Sequence, residues 1–409
     1  MTRLPPRLQP LWPAVKVAHR AGARGVGTVT RRIRPDDVPT AATPSSRETA
    51  LLEPGSARYH LATRPVRLQR PAPVGRPVGH PWFASLGPHE VPETFVLELR
   101  DGSVLGPHCA VVTAGNRMDH ETSHYFGTRG WREHPVYLDP LPRRAAEREQ
   151  VSGTLVTLAS RATGHNYYHF LIDALPRLGI LEDALPGALR GADAVLVDRA
   201  TRYQRELVAM LGLDRLRVLE PRRRLAVRAD RLLVPSLPNS STVVAPETTR
   251  WLREALPPSR TTGLPERLYV TRGTTPHTRR VVREEELRER LERRGFAVVD
   301  PGRLSVQEQI DHFAAARVVV APHGAALTNL VFSRPGVRLL ELFAPTYLNP
   351  GYWSIVANIA DSRYRYLVAS EPHSPRATAR QLGVMDDIDL DPAEVEDALD
   401  ELLSDQEAA

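Results

Sequence analysis

The segment Ala316–Phe343, ARVVVAPHGAALTNLVFSRPGVRLLELF, constrains the fold more than any other stretch of the chain. Val318, Val319, Val320 and Ala321 are an apolar run without polar alternation, the pattern of a parallel strand buried on both faces. Pro322 ends the run. His323, Gly324, Ala325 and Ala326 then carry little side-chain bulk around the glycine, so backbone N–H groups at the start of the following helix can approach a ligand closely. An anion such as a diphosphate suits that position. Thr328 and Asn329 fall on the first turns of the helix, and Leu339 to Phe343 read as the next buried strand. Glu341 lies inside that strand and needs a hydrogen-bonding partner; at the carboxyl edge of a parallel sheet a pair of sugar hydroxyls is a natural one. A plain strand–turn–helix with a structural histidine and a salt-bridged glutamate fits the same residues.

The rest of the chain repeats the strand–helix alternation. Residues 1–90 are rich in proline and arginine and read as an extended arm. TFVLELRDGSVLG, from Thr94, alternates around Asp101-Gly102 in the manner of a hairpin. Strand-like and helix-like segments alternate from Thr154 to Leu233, and a polar stretch from Pro238 to Pro265, with a helical piece at 247–256, reads as a connection. Beyond it come RLYVTR, a charged helix at 281–294, FAVVD, and a helix opened by the capping box Ser305/Glu308. Glu284/Arg288, Glu286/Arg290 and Glu289/Arg293 stand at i,i+4 on the charged helix, which describes a solvated face. The expected division is 1–90, an arm; 91–260, a first α/β domain; and 261–409, a second, doubly wound domain.

Three groups of residues could carry chemistry. GHNYYHFLIDALPRL, from Gly164, places His169, Asp173 and Arg177 at i, i+4 and i+8 if it is helical from Tyr167. They could supply a general base, its orienting carboxylate and a charge stabiliser, or His169 and Asp173 could simply pair on a core helix. Arg272 ends a strand and Arg279-Arg280 precede a helix, where arginines can clamp a phosphate through two parallel bonds or be surface charge. Asp387 and Asp389 form an Asp-x-Asp pair, but they sit in what reads as an acidic linker, so a metal–nucleotide role is set aside. Neither a dinucleotide G-x-G-x-x-G after a strand nor a P-loop is present.

Composition narrows the partners. With 409 residues, 42% of them hydrophobic, the chain has material for two or three domains with their own cores. The net charge of +6 comes from 54 basic against 48 acidic residues. Lys16 is the only lysine, acidic residues are interspersed, and no nucleic-acid recognition motif accompanies the arginines, so a nucleic-acid partner is not expected. Cys109 stands alone, which excludes a disulfide framework and fits a reducing compartment. Prolines and basic residues break up the first 34 positions, and nowhere do about 18 apolar residues run together. The expected location is cytoplasmic, with any membrane attachment peripheral.

NYYHFLIDALPRL, RLYVTRG with the later Arg-Arg, LSVQEQIDHFAAARVVVAPHGAALTNLVF and LLELF, in this order and spacing, resemble the glycosyltransferase 61 family, also described as capsular polysaccharide biosynthesis proteins. The resemblance covers about residues 94–370. It implies a GT-B-like enzyme with two Rossmann-type domains facing a cleft, inverting at the anomeric carbon, with no metal and no cofactor beyond the nucleotide-sugar substrate, at work in surface polysaccharide or glycan synthesis. Carried onto this chain, His323, Gly324, Ala325, Thr328 and Asn329 sit at the diphosphate, Glu341 at the ribose, and Arg272 and Arg280 neutralise the leaving phosphate. Asp173 is then the base for an acceptor hydroxyl and His169 its orienting or relay partner. Ala326 departs from the HGAGLTN pattern of many relatives, and its methyl narrows access to the backbone. A catalytically silent nucleotide- or glycan-binding protein on the same scaffold is the alternative.

Overall fold

The computed structural model describes residues 12–125, 128, 130–138, 148–160, 163–239, 242–273, 279–371 and 386–404. Two compact units divide the chain: Met1–Val66 with Pro92–Pro238, and Arg67–Val91 with Asn239–Ala409.

The described part of the expected arm is structured. Helix α1 (Trp12–Ile33) fills the proline-free interval between Pro13 and Pro35, and Pro13 itself falls in the first turn, where a missing N–H costs nothing. Strand β1 (Ala57–Thr63) belongs to the first unit, and strand β2 (Val74–Arg76) is an edge strand of the second. The prolines at 73 and 77 bracket β2 without interrupting it, as an edge position allows. Gly75 is required there, since a Cβ would lie 2.2 Å from the carbonyl oxygen of Tyr366.

In the first unit, β3 (Thr94–Arg100) and β4 (Ser103–Leu105) do not form the expected hairpin. Both pair antiparallel with one long strand, Ala226–Pro235, with Arg100 opposite Arg231 and Ser103 opposite Arg228. Asp101 takes a left-handed φ of 53°, and Asp101-Gly102 makes an irregularity within a continuing strand rather than a reversal. The reversals come later, between β4 and β5 (Ala110–Val112) and between β5 and β6 (Arg117–Asp119). The same sheet continues through the parallel strands β7 (Glu149–Thr157), β8 (Ala194–Leu196), β9 (Arg217–Leu219) and the long β10 (Ala226–Pro235). Their spatial order is β10-β7-β8-β9, so successive crossovers depart in opposite directions from the boundary between β7 and β10. Leu97, Leu99, Leu155, Leu196 and Leu232 share its core.

The second unit begins earlier than expected. Helix α2 (Pro246–Ala255) buries Leu252, and Val244 donates its N–H to Ser354 and accepts from Asn358, so the supposed connection belongs to this core. Five parallel strands follow: β11 (Arg267–Val270), β12 (Ala297–Val299), β13 (Val318–Pro322), β14 (Arg338–Phe343) and β15 (Arg363–Val368). With β2 at the edge their order is β12-β11-β13-β14-β15-β2, and the topological switch point lies between β11 and β13. Every residue of β13 is buried, as its unbroken apolar run foretells. Helices α3 (Glu284–Arg293), α4 (Val306–Ala315), α5 (Gly351–Val356) and α6 (Pro392–Ser404) complete the unit, and Ser305 and Glu308 form the expected capping box on α4. On α3, Glu286 pairs with Arg290 as expected, whereas Glu284 turns inward to accept from Tyr269 and Thr271. The described end of the acidic linker is core: Asp386 is fully buried and accepts from Thr346, and Ile388 and Leu390 pack with α6. The chain is therefore a mixed α/β protein with one mixed and one all-parallel main sheet.

Candidate functional site

At the switch point of the second unit, the chain leaving β11 and the chain leaving β13 meet. Arg272 follows β11 and donates from Nη1 to the carbonyl oxygen of His323 at 2.9 Å. Gly324 makes this possible, because a Cβ there would stand 2.2 Å from that same Nη1. The helix after Gly324 is a 3-10 helix, Ala325–Phe332, whose first turn closes from the Leu327 N–H to the Gly324 carbonyl at 2.9 Å. The amides of Ala325 and Ala326 precede that first bond, which is where a helix can receive an anion.

Arg279 comes to the same place. Its φ of 78° is left-handed, and its backbone N–H and that of Arg280 are both held by Oδ1 of Asp387, at 2.9 and 3.0 Å. The guanidinium lies 5.0 Å from the ring centre of Tyr347. Its Nε is buried without a hydrogen-bond partner, and among the described residues it makes no ion pair. Burial lowers its pKa; burial and then the neighbouring Arg279 charge bring that of Arg272 to about 10. Two neighbouring, partly buried cations favour an anion between them. The side chain of Arg280, the expected phosphate ligand, is exposed. Arg279 is the adjacent arginine whose side chain turns inward, and the Asp387 clamp holds both backbone amides in place.

His323 and Glu341 lie beneath this surface. Glu341 is wholly buried on β14, with Oε1 2.5 Å from Nδ1 of His323 and Oε2 accepting from the Tyr364 hydroxyl at 2.8 Å. Burial pushes the Glu341 carboxyl well above the usual carboxylate range. Burial, followed by the charges of Arg279 and Arg272, holds the His323 imidazole far below its ordinary pKa. Burial thus disfavours the charged form of each partner, and Nε2 of His323 is the ring nitrogen left for a ligand. The imidazole is walled by Phe343, 4.9 Å away and stacked, and by Tyr352 at 5.0 Å. Expected ribose contact by Glu341 gives way to a positioning role, since both its oxygens are engaged under His323. Thr328 and Asn329 are likewise fully buried. Thr328 donates to the Ala325 carbonyl and is hydrogen-bonded to the Tyr352 hydroxyl, and Asn329 donates to Gln309 and to the Ala326 carbonyl. They shape the turn from inside.

In the first unit the second candidate pair also follows a central strand. The loop after β7 is tied down by Thr163, which donates to Asp198 at 2.6 Å, and by Gln204, which donates to the carbonyls of Thr163 and Gly164. Asn166 caps the helix, accepting from the Tyr168 N–H. One α-turn, Tyr167–His169, gives way to a π-helix, Phe170–Ala174, before the α-helix Arg177–Ala184. A π-turn is rare and concentrates at functional sites. It brings Nδ1 of His169 to 2.7 Å from Oδ2 of Asp173, with side chains 22% and 14% exposed. Arg177 does not share their face, because the wider turn and the break at Pro176 rotate it into the core. Its guanidinium donates to the carbonyls of Ala159 and Pro235, clasping the carboxyl ends of β7 and β10, and burial lowers its pKa to about 10. The charge stabiliser expected at that position is a strand clasp.

Residues 167–340 match the family model described as Glycosyltransferase 61. The match supports the resemblance to the glycosyltransferase 61 family that the sequence motifs carry. The match opens on the His169/Asp173 helix and closes within β14, one residue short of Glu341, so it includes every other candidate residue. It is narrower than the stretch over which the sequence motifs resemble the family. The matched family suggests glycosyltransferase activity in general, which implies a sugar donor and an acceptor. No curated protein matches the chain. The sequence reading passes over Tyr352 and Tyr364, which carry no local motif, and names Arg280 where Arg279 is the arginine that turns inward.

Proposed function

We propose that this protein is a GT-B-like glycosyltransferase 61 enzyme that moves a sugar from a nucleotide-sugar to a glycan or related hydroxyl, with inversion and without a metal. The observation that carries the reading is the meeting of Arg279, Arg272 and the amides of Ala325 and Ala326 at the switch point of the second unit. Anion-binding groups at the carboxyl edge of a parallel sheet suit a diphosphate. As the bond from the anomeric carbon to the phosphate oxygen breaks, charge grows on the leaving diphosphate, and fixed cations stabilise it without reorganising. Gly324 gives Arg272 room, His323 offers Nε2 to the donor, and Glu341 with Tyr364 holds the imidazole in that tautomer.

The first unit supplies the base. Asp173 takes the proton of the acceptor hydroxyl while that oxygen bonds to the anomeric carbon, and His169 orients the carboxylate from its Oδ2 side. Surface polysaccharide or another glycan is the acceptor class on this reading, with a cytoplasmic location.

Thermal unfolding with UDP, GDP, ADP, CMP and dTDP, each with and without magnesium, tests the donor site. A nucleotide present at about 100 times its dissociation constant should add about 2.7 kcal/mol. The expected result is a shift with one nucleotide, indifferent to magnesium and lost in Arg279→Ala. No shift with any nucleotide sinks the donor assignment. Binding that survives with no turnover toward any acceptor would make the chain a silent binding protein.

A further inference from the structure

The amino edge of the second sheet carries a row of arginines that the donor site does not use. Arg267, Arg338 and Arg363 open β11, β14 and β15, and Arg317 stands immediately before β13. Arg267, Val318, Arg338 and Arg363 are also in register across these four neighbouring strands. Residues in register on adjacent parallel strands lie about 4.8 Å apart and point to the same face, so Arg338 and Arg363 bring like charges together. With Arg334, from the segment before β14, the arginines line a cavity of about 610 Å³.

Their charge is only partly answered. Glu266 pairs with Arg317 at 2.9 Å and with Arg334 at 3.7 Å. Arg267 donates to the carbonyl of Arg294 just beyond α3, and Arg338 to the carbonyl of Leu403 in α6. Such bonds cap two helix ends but leave both guanidinium charges in place. Among the described residues Arg267, Arg338 and Arg363 make no ion pair. On the wall of the cavity five arginines face two carboxylates, Glu266 and Asp361, which leaves three positive charges in excess. A concave surface of one sign concentrates the field on whatever enters it. Planar guanidinium forks match phosphoryl oxygens, and the volume is that of a small-molecule site. Among the described residues no aromatic ring lines the cavity, so nothing there would stack a base. We infer that this edge of the sheet binds a compact anion carrying two or more phosphoryl groups, recognised by charge and without a nucleobase. The inference does not depend on the donor site, which lies at the opposite, carboxyl edge of the same strands.

Titration calorimetry of the full chain decides it, in the Arg279→Ala background so that the donor side is weakened. Pyrophosphate, fructose bisphosphate, ADP and orthophosphate are compared across a salt series. Pyrophosphate should bind at one equivalent, weaken as salt rises, and exceed orthophosphate at least about tenfold. ADP, which adds a nucleoside to the same diphosphate, should bind no more tightly. Tighter binding of fructose bisphosphate than of pyrophosphate would make the ligand a phosphorylated sugar, and the reverse an inorganic phosphate; either supports the site. Arg338→Gln with Arg363→Gln should lower pyrophosphate affinity at least about tenfold. Should the double variant fold poorly, Arg363→Gln alone, at an exposed side chain, should still weaken binding a few-fold. Absence of pyrophosphate binding overturns the inference, as does affinity that these substitutions leave intact, or ADP binding well above pyrophosphate. Binding that appears only in Asp405→Asn with Glu407→Gln, acidic residues that follow Leu403 in the chain, would reassign the cavity to residues 405–409.

Discussion

Two histidine–carboxylate pairs, one in each unit, have nearly the same local chemistry and opposite surroundings. His169 and Asp173 meet at 2.7 Å with side chains 22% and 14% exposed, on a π-turn that follows the central strand of the first sheet. His323 and Glu341 meet at 2.5 Å with 7% and 0% exposed, and a tyrosine occupies the second carboxylate oxygen. Burial decides what each can do. An accessible carboxylate can exchange a proton with a bound hydroxyl, whereas one sealed behind an imidazole and a phenol can only hold its neighbours in place. The comparison also separates effects that mutagenesis would otherwise blur: the buried pair should be felt in stability and the accessible pair in rate.

The largest effect should come from breaking the buried pair. Glu341→Ala leaves His323 Nδ1 buried without a partner, at about 1–3 kcal/mol, and takes the acceptor from the half-buried Tyr364 hydroxyl, so chemical denaturation should show a loss of about 3 kcal/mol. Asp173→Ala should cost less than about 1 kcal/mol by the same measurement. Equal losses would erase the distinction between the pairs.

Rate should move the other way. Asp173→Asn is expected to lower kcat by about 100-fold or more, about 2.7 kcal/mol of barrier, with nucleotide affinity unchanged in a binding titration. A variant that retains wild-type kcat would remove Asp173 as base.

Acid should weaken the fold through histidines that it keeps neutral. Burial, with His108 and His120 adding to it, brings the pKa of His134 down to about 3, and Val136 donates its N–H to Nδ1 of that ring. The unfolded chain then binds more protons than the folded one below the ordinary histidine value. The contribution is complete above about pH 6.5 and is lost progressively as pH falls toward 3, the loss being about 2 kcal/mol at pH 5 for this one residue. Glu341, raised by burial, works in the opposite sense: its contribution is present below the ordinary carboxylate pKa and is lost as pH rises through its folded value. Unfolding free energies at pH 7 and pH 5 should therefore differ less in His134→Asn than in the wild type.

Smaller changes sharpen the donor side. Arg279→Lys, which keeps charge and loses the planar fork, should weaken nucleotide binding about tenfold, roughly 1.4 kcal/mol, while Arg280→Lys should leave it unaltered. Gly324→Ala should displace the Arg272 tip and raise donor KM by a few-fold, with little change in melting temperature because only the end of a flexible side chain must move. An intact donor KM in Gly324→Ala would mean that Arg272 is not a donor ligand.

Much of this protein is legible in its amino-acid sequence. The buried run at Val318–Pro322, the capping box of α4 and the helix around His169 all rest on near-neighbour patterns, and periodicity and capping act within a few residues. The proline-rich beginning misleads because proline counts ignore position: one falls in a first turn, others bracket an edge strand, and a long interval has none. Asp101-Gly102 misleads because a left-handed residue permits a strand irregularity as readily as a turn, and only the partner strand Ala226–Pro235 selects between them. By itself, the sequence determined the strand–helix alternation and which residues follow the strands. The tertiary structure decided which of those residues face a ligand. It set Arg279 inward, with Asp387, distant in the chain, holding its backbone amide, and turned Arg177 into the core through a π-turn. It also sealed Glu341 beneath His323, because burial and hydrogen-bond satisfaction belong to neighbours in space.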